Sequence, residues 1–186
     1  MILHLKLKPG LTVCDFGAGC GLTSNMFAKI GCSVTGYDPK KFSLDIAEKY
    51  AKKIGVSARV KYVLGHVNDL IGDQKFDRLH TGYMLNEENA LKYVDKNLNN
   101  GGVAVMNVGG ENNGAVYIFT KDEDGEVKKE HSGLNVIFSK DLKPWLPPLY
   151  KCFKIFRVSN NLLLNIIQIK CHFLKFLKLN LNHHSN

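Results

Sequence analysis

Thr12-Val13-Cys14-Asp15-Phe16-Gly17-Ala18-Gly19-Cys20-Gly21 is the stretch whose reading decides the fold. Val13, Cys14 and Phe16 suit a buried strand, and one acid, Asp15, lies among them. Three glycines at alternate positions then break the strand, and Leu22 to Ile30 reads as a helix. A strand that runs through alternating glycines into a helix lets a ligand approach the backbone, because no Cβ stands in the way. The first amides of the helix also face outward at such a turn. A dinucleotide site has the pattern Gly-x-Gly-x-x-Gly. Here the third glycine comes one residue early, and Asp15 lies just beneath the loop. A carboxylate there suits a cationic ligand better than a diphosphate. The alternative is a tight strand-to-helix turn that holds no ligand.

Working outward, Gly31 stands where a helix C-cap is expected, and Ser33 to Tyr37 reads as a second strand stopped by Asp38-Pro39. In doubly wound folds an acid roughly 20 residues after the glycine loop accepts hydrogen bonds from ribose hydroxyls. Asp38 follows Gly17 at that distance. An aspartate before proline can equally serve only as a turn residue. A ribose, together with a sulfonium and an amino group for Asp15, describes S-adenosylmethionine.

Ser43 to Ile54 is a helix with Phe42, Ile46, Ala47, Tyr50 and Ile54 along one face. Val60 to Leu64 is a third strand, followed by Gly65-His66-Val67-Asn68-Asp69. Loops after strands line the cofactor crevice in this architecture. His66 or Asp69 can therefore reach an adenine ring, or His66 is an ordinary loop histidine. Phe76 to His80 is a fourth strand, and Asn86 caps a helix that runs to Leu98. Asn99-Asn100-Gly101-Gly102 turns into a fifth strand, Val103 to Val108. Strand and helix alternate with short connections, which predicts a parallel sheet with helices on both faces. The pattern then changes. Ala115 to Thr120 and Glu126 to His131 flank an Asp124-Gly125 turn, the signal of an antiparallel hairpin, and Asn135 to Phe138 reads as a further strand. The expected fold class is α/β, a doubly wound, mostly parallel, Rossmann-like sheet with a C-terminal antiparallel hairpin.

Bulk properties bound the function. The 186 residues carry a net charge of +8, but the charge is unevenly placed. Residues 1–143 hold 19 Lys/Arg against 17 Asp/Glu, whereas residues 144–186 hold six Lys/Arg and no acid. The basic character belongs to the tail, so no nucleic-acid partner is expected for the body. No stretch of 18 uncharged apolar residues exists, and no membrane span is expected. Neither a leader nor paired C-x-x-C spacing is evident among the five cysteines, which points to a reducing, cytoplasmic setting. No metal site is expected.

In order and spacing these elements resemble the class I S-adenosylmethionine-dependent methyltransferases, and within them the protein-L-isoaspartate O-methyltransferase family. The pieces that carry the resemblance are Leu7-Lys8-Pro9-Gly10 before the glycine loop, Phe76-Asp77-Arg78-Leu79-His80-Thr81-Gly82, and Leu98-Asn99-Asn100-Gly101-Gly102 leading to Val108-Gly109. The hairpin completes them. The resemblance covers about residues 5–145; residues 1–145 are taken as an S-adenosylmethionine-binding, methyltransferase-like domain, and 146–186 as a basic, apolar tail. It implies S-adenosylmethionine as cofactor, held by Asp15, Gly17, Ala18, Gly19, Gly21, Asp38 and His66. It also implies isoaspartyl residues of damaged proteins as substrate. The family's acid after the third strand is His66 here, its small-residue loop after the fourth strand is Tyr83-Met84-Leu85, and its Val-Pro-Leu is Phe138-Ser139-Lys140. The family's serine-bearing covering segment has no counterpart before the first strand. No single residue is assigned as catalytic.

Leu3-His4-Leu5 and Leu146-Pro147-Pro148 resemble a branch of isoaspartate-methyltransferase-domain-containing proteins, which implies a second reading. In it the fold recognises damaged protein without methylating it, and the tail engages a ubiquitin-ligase subunit. Apolar residues of the tail fall on every helical face, so a basic partner-binding helix and a loosely packed terminus both remain open.

Overall fold

The computed structural model describes residues 2–66, 74–110, 114–138 and 156–157. Asp69, Ser139, Lys140 and nearly all of the tail lie outside the described residues. Strands β1 (Thr12–Phe16), β2 (Ser33–Asp38), β3 (Val60–Leu64), β4 (Phe76–Leu85), β5 (Leu98–Val108), β6 (Gly114–Lys121) and β7 (Val127–Phe138) form one sheet in the order β3-β2-β1-β4-β5-β6-β7. A two-residue strand, Phe156–Arg157, pairs with the end of β7. The pairs among β1 to β5 are parallel, and β5, β6 and β7 form an antiparallel meander. The expected fold class is the observed one.

Alternation along β1 sets the two layers. Val13 packs with Phe27 and Ala28 of α1 (Leu22–Ile30) and with Ala51 of α2 (Lys41–Lys53). Cys14 and Phe16 face the other way, onto Ala90, Tyr93 and Val94 of α3 (Glu87–Asn97). The Phe16 and Tyr93 rings lie 5.1 Å apart. Helices therefore cover both faces, because residues at period two along a strand point to opposite sides. The caps follow local chemistry. Gly31 closes α1 at φ 108°, a left-handed conformation open to glycine, and the Asn86 side chain accepts from the Asn89 amide at 2.8 Å to open α3.

Three expectations are corrected. β4 continues past His80 to Leu85, with an irregularity between His80 and Met84. Asn99 to Gly102 is an irregularity within β5 rather than a turn before it: Phe76 pairs with Leu98, and Arg78 pairs with Val103. Asn135 to Phe138 is no separate strand. It is the end of β7, which absorbs extra residues between His131 and Asn135 because Gly133 takes φ 80°. Local residue signals mark where a chain departs from regular pairing, but they do not say whether pairing resumes. Residues 2–5 also form a 3-10 turn, held by Arg78 Nε donating to the Leu5 carbonyl at 2.6 Å.

The start of the sheet is fastened by Asp77. Its Oδ2 accepts from the amide and the hydroxyl of Thr12, both at 2.8 Å, and its Oδ1 accepts from the Asn99 amide group at 2.9 Å. Partial burial works against the Asp77 carboxylate, yet these hydrogen bonds, with Arg78 beside it, outweigh burial and hold its carboxyl below the usual range. A folded pKa below the unfolded value means stability that is present above the unfolded pKa, about 3.9, and lost as pH falls through the folded one. Asp77→Asn is therefore expected to cost about 1 kcal/mol at pH 7, and the gap to wild type should shrink below about pH 4. Urea melts at pH 7 and pH 3.5 check this.

Candidate cofactor site

The glycine loop lies at the C-terminal ends of β1 and β2. Gly17, Gly19 and Gly21 have φ of 75°, 54° and 77°, all in the region that favours glycine. The amides of Gly17 and Ala18 both donate to the Tyr37 carbonyl, at 2.8 and 2.9 Å. The Gly19 amide donates to Asp38 Oδ2 at 3.0 Å. These three amides are thus spent on tying the loop to β2, and a ligand meets the α-carbons of the loop and the start of α1. Gly21, the N-cap of α1, offers no side chain to the first-turn amides.

The structure brings Gly17, Ala18, Gly19, Gly21 and Asp38 together. Asp38 Oδ1 accepts from the Lys40 amide at 2.9 Å while Oδ2 holds Gly19. Each carboxylate oxygen keeps a second lone pair, so Asp38 can also accept from a ligand hydroxyl. The Gly65 amide donates to the Asp38 carbonyl at 3.3 Å, which sets the end of β3 beside Asp38 and leaves His66 exposed one residue on.

Asp15 is placed differently from a ligand-facing acid. Its side chain is 1% exposed, on the α1 side of the sheet. Oδ2 accepts from the Ser24 hydroxyl at 2.5 Å, and Oδ1 lies 2.7 Å from His80 Nδ1. His80 stands opposite Asp15 in the β1–β4 register, with its ring edge-on to Phe27 and its buried Nε2 without a hydrogen-bond partner among the described residues. The Ser24–Asp15–His80 chain fastens α1 and β4 to the strand beneath the loop. Next to it, burial and the Asp15 charge push the Cys14 thiol well up, so Cys14 is not a thiolate nucleophile.

Two tyrosines bracket the loop. A Cβ on Gly21 would lie 2.6 Å from the Ala47 Cβ and would overlap the Tyr62 hydroxyl, which itself donates to Asn25 Oδ1 at 2.9 Å. A Cβ on Gly17 would lie 2.6 Å from the Tyr83 ring. Tyr83 arrives there because β4 bulges after His80. Asn107 secures the bulge, its backbone amide donating to Thr81 Oγ1 at 3.0 Å and its side chain to the Thr81 carbonyl at 2.9 Å. Sequence reasoning did not assign Ser24, His80, Tyr62 or Tyr83 to the site. His80 was visible in the fourth-strand motif, but its partner follows only from the strand order.

Comparison with known proteins agrees with this geometry. Residues 13–102 match a family described as Methyltransferase domain. The ubiquinone biosynthesis O-methyltransferase of Rhizobium leguminosarum bv. trifolii is 44% identical over 54 residues, 29% of this chain and 21% of that protein. A sterol 24-C-methyltransferase of Gibberella zeae is 32% identical over 79 residues, 41% of this chain and 21% of the relative. The chain thus spans about a fifth of the length of these curated relatives. A methyltransferase of Thiobacillus denitrificans, solved with S-adenosylhomocysteine, superposes with a TM-score of 0.52 at 24% identity, covering 56% of this chain and 44% of its own. A Plasmodium falciparum structure described as a protein-L-isoaspartate O-methyltransferase, also with S-adenosylhomocysteine, gives a TM-score of 0.56 at 19% identity, covering 70% of this chain and 65% of its own. With the sheet, the glycine loop and the acid at the end of β2 in place, the chain has the Rossmann-like fold of these methyltransferase structures, and residues 13–102 match the methyltransferase domain family.

Proposed function

We propose that the chain binds S-adenosylmethionine across the glycine loop and methylates the side-chain carboxylate of isoaspartyl residues in damaged proteins. The cofactor part rests on the loop itself, three glycines at positive φ at the C-terminal ends of β1 and β2 with the Asp38 carboxylate beside them. Asp38 would hold the ribose, and the loop with the start of α1 would hold the rest. Bound S-adenosylmethionine supplies an electrophilic methyl group. An isoaspartyl carboxylate is ionised at neutral pH, so it needs no base to attack that methyl. The work left to this chain is orientation and exclusion of water.

The acceptor part rests on one observation, the antiparallel meander. Residues 1–108, through the end of β5, are 108 of the 186 residues. The 70% match of the Plasmodium falciparum structure is longer than residues 1–108 alone could supply, whereas the 56% match of the Thiobacillus denitrificans structure is not. The ubiquinone and sterol methyltransferases match only 29–41% of this chain, and the family match ends at residue 102. Those short matches do not reach far enough to speak for the acceptor.

Calorimetric titration of S-adenosylmethionine and S-adenosylhomocysteine into the full chain is the first test, with binding of both expected. Methyl transfer to an isoaspartyl peptide, an aspartyl peptide and a catechol then separates acceptors, and only the isoaspartyl peptide should gain a base-labile methyl ester. Transfer to the catechol alone would overturn the acceptor reading. Binding without any transfer would favour the non-catalytic adaptor that engages a ubiquitin ligase through residues 146–186. Absence of binding by folded protein would overturn the enzyme reading.

A further inference from the structure

A sulfonium cation needs something electron-rich beside it, and the acid expected for that purpose is already committed. Both oxygens of Asp15 are buried on Ser24 and His80, and Asp38 holds backbone amides at the far side of the loop. We propose that the ring of Tyr83 recognises the positive charge of the methyl donor's sulfonium, through its π face, in place of a carboxylate. The inference rests on the cofactor reading above and adds to it the residue that tells methyl donor from demethylated product.

Three observations carry it. Strand order puts β1 between β2 and β4, so a ligand with its ribose at Asp38 on the β2 side extends its other end toward β4. At that end Gly82 brings the two backbones into contact: a Cβ on it would collide with the Gly17 carbonyl oxygen and have the carbonyl carbon 3.3 Å away. The bulge pinned by Asn107 then seats the half-buried Tyr83 ring on Gly17, the first glycine of the loop. An aromatic face within about 6 Å of a cation attracts it through the ring quadrupole, more strongly where water is excluded. The neutral thioether of S-adenosylhomocysteine gains nothing from that field.

The test compares the two ligands on the full chain. Tyr83→Leu is expected to weaken S-adenosylmethionine roughly tenfold while S-adenosylhomocysteine stays within about twofold. Tyr83→Phe, which keeps the ring and removes the hydroxyl, should keep the wild-type ratio of the two affinities. Should Tyr83→Leu fail to fold, as seen by its thermal melt, fluorinated phenylalanines at position 83 preserve shape while draining the π face. The preference for S-adenosylmethionine should then fall stepwise with fluorination. Equal weakening of both ligands, tightening of both, or an unchanged ratio along the fluorinated series would overturn the proposal and leave the cofactor reading intact. Failure of the wild-type chain to bind either ligand would overturn both.

Discussion

Gly82→Ala is expected to lower the melting temperature by roughly 4–10 °C, from about 1–3 kcal/mol of overpacking, and to weaken S-adenosylmethionine binding more than tenfold. The new methyl group would collide with the carbonyl oxygen of Gly17, and the next atoms in range are also backbone, Gly17 C at 3.3 Å and Phe16 O at 3.5 Å. No flexible side chain can move aside. Relief requires β1 and β4 to separate, or the first glycine of the loop to rotate away from the Tyr37 carbonyl that its amide holds at 2.8 Å. Either movement displaces the surface on which the ligand rests, so stability and binding fall together. Gly55→Ala is the matched control. Its φ of 74° brings backbone strain that Gly82 lacks, while none of the described atoms lies within 4 Å of the new Cβ, so it should cost about 1 kcal/mol and leave binding unchanged. Thermal melts and calorimetry on the two variants decide the matter. Equal binding losses in both would show that the loop responds to general destabilisation and not to the contact at Gly82.

The contrast between Gly82 and the loop glycines shows where sequence reading ends. Gly17, Gly19 and Gly21 were legible because their spacing and the helix after them describe a turn by themselves. Asp38 was legible by its distance from that turn, and the structure seats it on the Gly19 amide. The alternation of strand and helix was enough for the parallel half of the sheet, and Asp124-Gly125 for the hairpin. What was hidden depends on which strands become neighbours. Gly82 and Tyr83 lie some 65 residues from Gly17 in the chain, and only the β1–β4 pairing brings them to it. Gly82 marks the β4 bulge in the sequence, but not that pairing resumes after it, since the fixing residue, Asn107, sits on another strand. Cross-strand partners of this kind are invisible to periodicity, because period-two alternation gives the face of a residue and not its neighbour.

Asp15→Ala should be the most destabilising single change in the domain, costing about 3–5 kcal/mol as a buried polar pair loses one partner. That corresponds to a fall in melting temperature of roughly 10 °C or more. The Ser24 hydroxyl and His80 Nδ1 would be left buried with no acceptor, beside an Nε2 that already lacks a partner among the described residues. Ser24 belongs to the first turn of α1 and His80 to β4. Their release therefore loosens the helix that starts at the loop and the strand that presents Gly82 and Tyr83. Asp15→Asn should recover about half of the loss, since an amide keeps an oxygen for Ser24 and can donate to Nδ1 if the imidazole changes tautomer. The decisive measurement is a double-mutant cycle with His80→Leu, read by urea unfolding. If the pair acts as one unit, the double variant loses much less than the two single losses combined, because a leucine at 80 asks nothing of position 15. Strict additivity would mean that Asp15 acts through Ser24 and α1 alone, and β4 would then be held beside the loop by its backbone pairing with β1.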